Sequence, residues 1–106
     1  DIAKSELWYS KAASNGSNDA VYCLAALWIA QNKNFEKARK LAIKMLADEP
    51  TDGRFYDILG RVSYKEKNYK SAVKYLKKAV RMCPGDAVIE TWYTRAVRQF
   101  TRGNGN

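Results

Sequence analysis

Apolar side chains recur at intervals of three and four residues along most of the chain, which is the spacing of amphipathic helices. In the stretch 69–82 the apolar face consists of Ala72, Val73, Leu76, Ala79 and Val80. The opposite face is basic and consists of Lys70, Lys74, Lys77, Lys78 and Arg81. No alternating run is longer than about four residues, so strands are disfavoured. The pattern predicts an all-α protein with helices at 2–14, 19–31, 35–48, 53–66, 69–82 and 87–101.

The chain resembles itself when it is displaced by 34 residues. The identical pairs are Tyr22 and Tyr56, Lys33 and Lys67, Asn34 and Asn68, Ala38 and Ala72, Lys40 and Lys74, Lys44 and Lys78, Pro50 and Pro84, and Asp52 and Asp86. A fixed period of this length is typical of stacked helical repeats. It divides a single domain, residues 1–106, into a first repeat at 18–50, a second repeat at 52–84 and a closing helix at 86–102.

Short polar side chains stand just before the predicted helices. Asn18, Asp52 and Asp86 precede the first helix of each pair, and Asn34 and Asn68 precede the second. We expect all five to be N-caps, because a side-chain oxygen at this position can accept a hydrogen bond from an unpaired backbone N–H of the first turn. Pro50 and Pro84 terminate the helices before them.

Small residues share one position of the repeat frame, where Ala26 in the first repeat corresponds to Gly60 in the second. Two helices joined by a loop of about three residues must cross closely, and small side chains on the facing surfaces permit the approach.

The segment 53–84 resembles a tetratricopeptide repeat. The residues at that family's signature spacings are Tyr56, Leu59, Gly60, Ala72, Leu76, Ala79 and Pro84. The segment 19–50 is a looser copy that keeps Tyr22, Ala26, Ala38 and Pro50. The N-terminal stretch 7–13, followed by Gly16, Ala20 and Leu24, is similar to the Sel-type variant of the same superfamily. The resemblance implies antiparallel helix pairs stacked into a short right-handed superhelix.

The same resemblance implies that the first helix of each pair lines a concave groove that holds a peptide or helix of a partner protein. The groove residues expected to contact the partner are Arg54, Asp57, Arg61, Tyr64, Lys65, Arg95 and Arg98. Cys23, Leu27 and Thr91 would complete its lining. Most of the charged members are basic, so an acidic partner segment is expected. The predicted function is that of a protein–protein interaction module or scaffold.

Two alternatives remain open. The array can be a structural or self-assembling unit, because the terminal faces of so few repeats stay apolar. The net charge of +8, with 19 Lys and Arg against 11 Asp and Glu, also permits non-specific nucleic-acid binding through the lysine-rich helix 69–82, the least favoured of the three. Trp92 and Tyr93 either cover the last hydrophobic face or form an exposed anchor.

Catalysis and cofactor binding are not expected. Histidine is absent, which removes the commonest general base and metal ligand, and no phosphate loop or nucleophile elbow occurs. Cys23 and Cys83 are expected to be free thiols in a reducing compartment, hence the cytoplasm. No stretch is apolar enough to cross a membrane. Because the sequence begins inside a helical pattern, we expect a piece of a larger protein.

Overall fold

The structure is a computed structural model that describes residues 2–103. Within this range the fold is all-α, and the six helices predicted from the sequence are confirmed. They are α1 (Ile2–Ser14), α2 (Asn18–Ala30), α3 (Phe35–Asp48), α4 (Arg54–Lys65), α5 (Tyr69–Met82) and α6 (Ala87–Arg102). Their ends differ from the predicted ones by a single residue at most.

The helices form two layers. Each helix packs against the next one along the chain, and α4 also contacts both α2 and α6. Helices α1, α3 and α5 do not contact one another within residues 2–103. We therefore call α2, α4 and α6 the inner layer and α1, α3 and α5 the outer layer. The arrangement is repeat-like, and all the predicted groove residues belong to helices of the inner layer.

The core lies between the layers in two clusters. The larger cluster joins α2, α3 and α4 and is centred on Phe55, Ile58, Val62 and Ile29, all of which are fully buried. The smaller cluster joins α4, α5 and α6 and consists of Ala72, Leu76 and Ala96, with Tyr64, Val73, Trp92 and Tyr93 packed against it. Burial of a large apolar side chain stabilises the fold by about 1.5–3 kcal/mol, so these clusters hold the stack together.

The close approach of α4 and α5 depends on Gly60. A Cβ atom added at this glycine would lie 2.4 Å from Cγ of Leu76, which is itself fully buried. The expectation that a small residue permits close crossing is confirmed here. Gly53 has a similar role at the start of α4, where an added Cβ would lie 2.6 Å from Cβ of Met82.

Two of the five predicted N-caps are confirmed. The Asp86 carboxylate accepts hydrogen bonds from the backbone N–H groups of Val88 and Ile89, at 3.0 and 3.2 Å. The Asn68 side chain accepts one from the N–H of Ser71, at 3.3 Å.

Of the other three N-cap predictions, that for Asn18 is wrong, that for Asn34 is right in position only, and that for Asp52 is right in its hydrogen bond only. Ser17, not Asn18, caps α2 by accepting a hydrogen bond from the N–H of Ala20, at 3.1 Å. Asn34 stands at the cap position of α3, but its backbone is left-handed, with φ 56°, and its side chain makes no capping bond. Asp52 lies one residue before the cap position of α4, Gly53, yet its Oδ1 accepts a hydrogen bond from the backbone N–H of Arg54, the first residue of α4, at 3.2 Å. The same carboxylate also binds the Arg54 guanidinium. For α2, a shift of one residue in the helix start therefore decides which side chain acts as the cap.

We expect Asp86→Ala to lower the free energy of unfolding by about 1 kcal/mol, because α6 loses the acceptor for its first-turn N–H groups. The matched control is Asn18→Ala, which removes a polar side chain that caps nothing and should change stability by less than about 0.5 kcal/mol. Urea denaturation followed by circular dichroism measures both. Equal losses in the two variants would contradict the assignment of Asp86 as the cap.

Candidate functional site

The face of the inner layer begins at Arg54, the first residue of α4. Its guanidinium binds two carboxylates: Nη1 lies 2.7 Å from Oδ1 of Asp19 on α2, and Nη2 lies 2.9 Å from Oδ2 of Asp52. The same interaction lowers the pKa of Asp52. The positive charge of Arg54 is therefore neutralised inside the chain, and the side chain ties α2 to α4.

Asp57 and Arg61 form a buried ion pair one turn apart on α4. Asp57 is 0% exposed and Arg61 is 8% exposed. Arg61 donates to both carboxylate oxygens, from Nε to Oδ1 at 3.0 Å and from Nη2 to Oδ2 at 2.7 Å. The Tyr22 hydroxyl of α2 donates to Oδ2 of Asp57 at 2.9 Å and accepts from Nη2 of Arg61 at 2.9 Å. We call Tyr22, Asp57 and Arg61 the buried triad.

Both groove residues of the triad are thus occupied within the fold. Burial raises the pKa of the Asp57 carboxyl against the opposing effect of Arg61. Burial and the Asp57 charge raise the pKa of the Tyr22 phenol. The triad fixes α2 against α4, and its residues present little surface to a partner.

The dependence of stability on alkaline pH tests whether Tyr22 belongs to the buried triad. A phenol whose pKa is raised by folding contributes stability that is complete below its unfolded pKa, about 10, and that is lost as the pH rises further. We therefore expect the unfolding free energy of the wild type to fall more steeply between about pH 9 and 11 than that of Tyr22→Phe. Urea denaturation across this range measures the difference. Parallel pH profiles for the two proteins would show that Tyr22 is not in the environment described.

Beyond the triad, the inner face is centred on the indole of Trp92 on α6. Three cations surround the ring: the guanidinium carbons of Arg61 and Arg95 lie 5.3 and 5.4 Å from it, and Nζ of Lys65 lies 6.0 Å away. Tyr64 packs edge-on against the same ring, with centroids 5.5 Å apart. We call Arg61, Tyr64, Lys65, Trp92 and Arg95 the Trp92 cluster.

Trp92 has features of both roles that the sequence left open, namely cover for the last hydrophobic face and an exposed anchor. It packs on the smaller core cluster, as Tyr93 does, yet both side chains remain partly exposed. Lys65 and Arg95 make no ion pair with any residue in 2–103. The cluster therefore offers a partly exposed aromatic ring flanked by two cations without a counter-ion.

Arg98 extends this region along α6. It lines a shallow depression of about 440 Å³ together with Ala87, Glu90, Thr91, Thr94 and Arg95. Arg98 makes no ion pair within the described part of the chain. Of the predicted groove residues, Tyr64, Lys65 and Arg95 are brought together, Arg98 lies next to them, and Arg54, Asp57 and Arg61 are engaged in ion pairs.

Tyr22 is the residue whose role the sequence did not identify, and for Trp92 the sequence left out the cations that surround its ring. The sequence identified Tyr22 only as a repeat position shared with Tyr56, and its hydrogen bonds to Asp57 and Arg61 join residues 35 and 39 positions apart. The available signal was a carboxylate and an arginine four residues apart, Asp57 and Arg61, on a helix with otherwise apolar neighbours. Such a pair is buried only where a third polar group satisfies it.

Residues 2–103 offer little support for metal binding, membrane spanning or thiol reactivity. No group of three or more His, Cys, Asp or Glu side chains is arranged to hold a metal ion there. In that range no helix combines the length and apolar character that a membrane span requires. Cys23 and Cys83 are free and partly buried, and burial raises the pKa of the Cys83 thiol. A raised pKa makes a thiol less nucleophilic at neutral pH.

Comparison of the sequence with protein-family models and with curated proteins gives no match. The resemblance to tetratricopeptide repeats therefore rests on the signature residues of this chain and on the repeat-like packing of its helices.

Proposed function

We propose that the chain is a protein–protein interaction module of the tetratricopeptide type, which binds an acidic peptide or helix of a partner on the face of its inner layer. The single observation that carries the proposal is the Trp92 cluster, in which a partly exposed indole is flanked by Lys65 and Arg95. Tryptophan and arginine dominate the energetic centres of protein interfaces. Cations without a counter-ion on the protein favour a carboxylate on the ligand.

The positive part of the groove is narrower than the sequence indicated. Arg54 and Arg61 are neutralised by Asp19, Asp52 and Asp57. Among the predicted groove residues, Lys65, Arg95 and Arg98 make no ion pair within residues 2–103, and all three lie towards the α6 end of the face. A partner segment would accordingly place its acidic residues near Trp92, and the α2 end of the face would contribute mainly shape.

The experiment is a selection from a phage-displayed random peptide library on the immobilised wild-type chain. Peptides recovered from it are then labelled, and their affinities for variants are measured by fluorescence anisotropy. We expect acidic peptides, and we expect Lys65→Glu/Arg95→Glu to weaken them by about tenfold or more, because each reversal replaces an attraction by a repulsion. Circular dichroism of the variant checks that it is folded.

The matched control is Lys74→Glu/Lys77→Glu, which makes the same change of net charge on the outer helix α5. It should leave the affinity of the selected peptides within about threefold, since charges further apart than a Debye length of about 8 Å are largely screened at physiological salt. If both double variants weakened the peptides equally, the effect would be one of net charge, and the inner-face site would be refuted.

The second candidate function is assembly, and α1 favours it. This helix buries none of its residues, and Ile2, Leu7 and Trp8 are 56%, 63% and 68% exposed. Contiguous exposed apolar side chains commonly mark an interface. Sedimentation at several concentrations should then show a mass that rises with concentration in the wild type and stays monomeric in Leu7→Ser/Trp8→Ser. A wild type that is monomeric throughout would contradict this candidate.

We place the module in the cytoplasm. The support is that Cys23 and Cys83 are free thiols although both are partly accessible, a state that reducing compartments maintain. Expression with secretion into an oxidising medium, followed by thiol titration, tests the point: two free thiols are expected in the cytoplasmic product, and modification in the secreted one.

A further inference from the structure

The positive charge of the chain is concentrated on its outer layer. Helices α1, α3 and α5 carry eleven basic side chains against three acidic ones, whereas α2, α4 and α6 carry six against three. Helix α5 is the extreme case, with five basic side chains and no acidic one. None of these five forms an ion pair within residues 2–103. A surface of this kind attracts polyanions.

The basic side chains of α5 line a groove of about 700 Å³. Its walls are formed by Lys70, Lys74, Lys77, Lys78, Arg81, Val73, Met82 and, from α6, Phe100. Along the helix axis the cations follow one another at intervals of roughly one turn, about 5 Å. An extended sugar–phosphate backbone repeats its charge at a comparable interval, so one strand could meet several of these cations in succession.

Phe100 gives this groove a second property. Its ring is partly exposed and lies on the same groove as the five cations. Proteins that bind single strands combine a positively charged groove with aromatic rings on which bases stack. The lysines can therefore contact the phosphates of a nucleotide while the adjacent aromatic ring stacks on its base.

The groove between α1 and α3 is the natural comparison for this site, because lysines line it as well. Its volume is about 860 Å³, and Lys37, Lys40 and Lys44 lie along it. Its aromatic residue, Trp28, is however 8% exposed and donates its indole N–H to Glu6. Lys40 and Lys44 hold the same repeat positions as Lys74 and Lys78, but this groove also contains Asp48, has fewer cations and lacks an accessible ring.

We propose that the α5–Phe100 groove binds single-stranded nucleic acid without sequence preference, through lysine contacts to phosphates and stacking of a base on Phe100. This site lies between the outer helix α5 and Phe100 of α6, and it shares no residue with the protein-binding face proposed above. Contacts to phosphates position a strand without reading its sequence.

The test uses fluorescence anisotropy with labelled oligo-dT and oligo-U of roughly 12 nucleotides, at salt concentrations from about 50 to 200 mM. We expect Lys74→Glu/Lys77→Glu to weaken binding by about tenfold or more and to reduce the slope of log affinity against log salt by about 1.4. Lys40→Glu/Lys44→Glu carries the same charge change on α3 and should weaken binding by less than about threefold. Equal effects of the two variants would overturn the proposal.

Phe100→Leu separates stacking from charge. Leucine keeps an apolar side chain in the groove and removes the ring, so we expect about fivefold weaker binding of the oligonucleotides with an unchanged salt slope. Lys65→Glu/Arg95→Glu, on the inner face, should bind them as the wild type does. Wild-type affinity in Phe100→Leu would overturn the proposal, as would a DNA duplex or polyglutamate of equal length that binds as tightly as the single strand.

Discussion

Asp57→Ala is expected to lower the free energy of unfolding by about 3–5 kcal/mol, which is a large share of the total stability of a domain of this size. The reason is that Arg61, which is 8% exposed, would keep its charge and lose its counter-ion. Tyr22 would lose the acceptor of its hydroxyl in the same step. Urea denaturation followed by circular dichroism measures the loss.

Two further variants show whether the uncompensated charge is the cause. Asp57→Leu/Arg61→Met removes both charges and should recover most of the stability lost in the single variant, since a buried ion pair is worth little relative to apolar residues of similar volume. Asp19→Ala removes a carboxylate that also binds an arginine of α4, but Asp19 is 86% exposed. It should cost less than about 1 kcal/mol. Similar losses for Asp57→Ala and Asp19→Ala would contradict the burial of the triad.

The triad also determines how function can be tested. Arg61 contacts the Trp92 ring as well as Asp57, so a charge reversal at Arg61 would unfold the chain or displace α6. Loss of partner binding in such a variant could not be assigned to the groove. Lys65 and Arg95 serve instead, because they flank Trp92 without supporting the fold through an ion pair.

The second large effect is expected for Gly60→Ala, which should destabilise the fold by about 1–3 kcal/mol. Alanine is the better helix former by about 1 kcal/mol, so local propensity predicts the opposite sign. The added Cβ would lie 2.4 Å from Cγ of Leu76, and Leu76 is fully buried and has no room to withdraw. Thermal and urea denaturation give the sign and the size.

Leu76→Ala provides the control for this clash. Alone it should cost about 2–5 kcal/mol through the cavity it leaves. In that background Gly60→Ala should become neutral or stabilising, because the atoms that the new methyl group meets are gone. A double-mutant cycle measures the coupling. A Gly60→Ala penalty that persists without the Leu76 side chain would show that steric contact is not its origin.

Residues 60 and 26 illustrate the limit of the repeat frame. The frame makes them equivalent, and Ala26 is accommodated in the first repeat, so the sequence alone classes Gly60→Ala as a harmless change. The Leu76 side chain, which faces residue 60, makes the substitution destabilising instead. Small residues could be predicted from the frame, whereas the clearance at each of them depends on the helix packed against it.

The sequence by itself determined the fold class, the six helices and their order, because hydrophobic periodicity and the breaks between helices are local properties of the chain. It also determined two of the caps, Asn68 and Asp86. At Asn18 the helix start is shifted by one residue, at Asn34 the left-handed backbone leaves the side chain without a capping bond, and Asp52 accepts the N–H of Arg54 from one residue before the cap position. Only the tertiary structure decided which groove charges are free. Asp57 stands one turn before Arg61 on α4, and Asp52 two residues before Arg54, so part of each ion pair lies within the sequence spacing. That the Asp57–Arg61 pair is buried, and that Asp19 and Tyr22 of α2 complete the contacts of the two arginines across 35 or more residues, follows only from the packing of α2 on α4. Within residues 2–103, the cations that make no ion pair therefore remain beside Trp92 and along the α5 groove, and the packing of α6 brings an aromatic ring to each place.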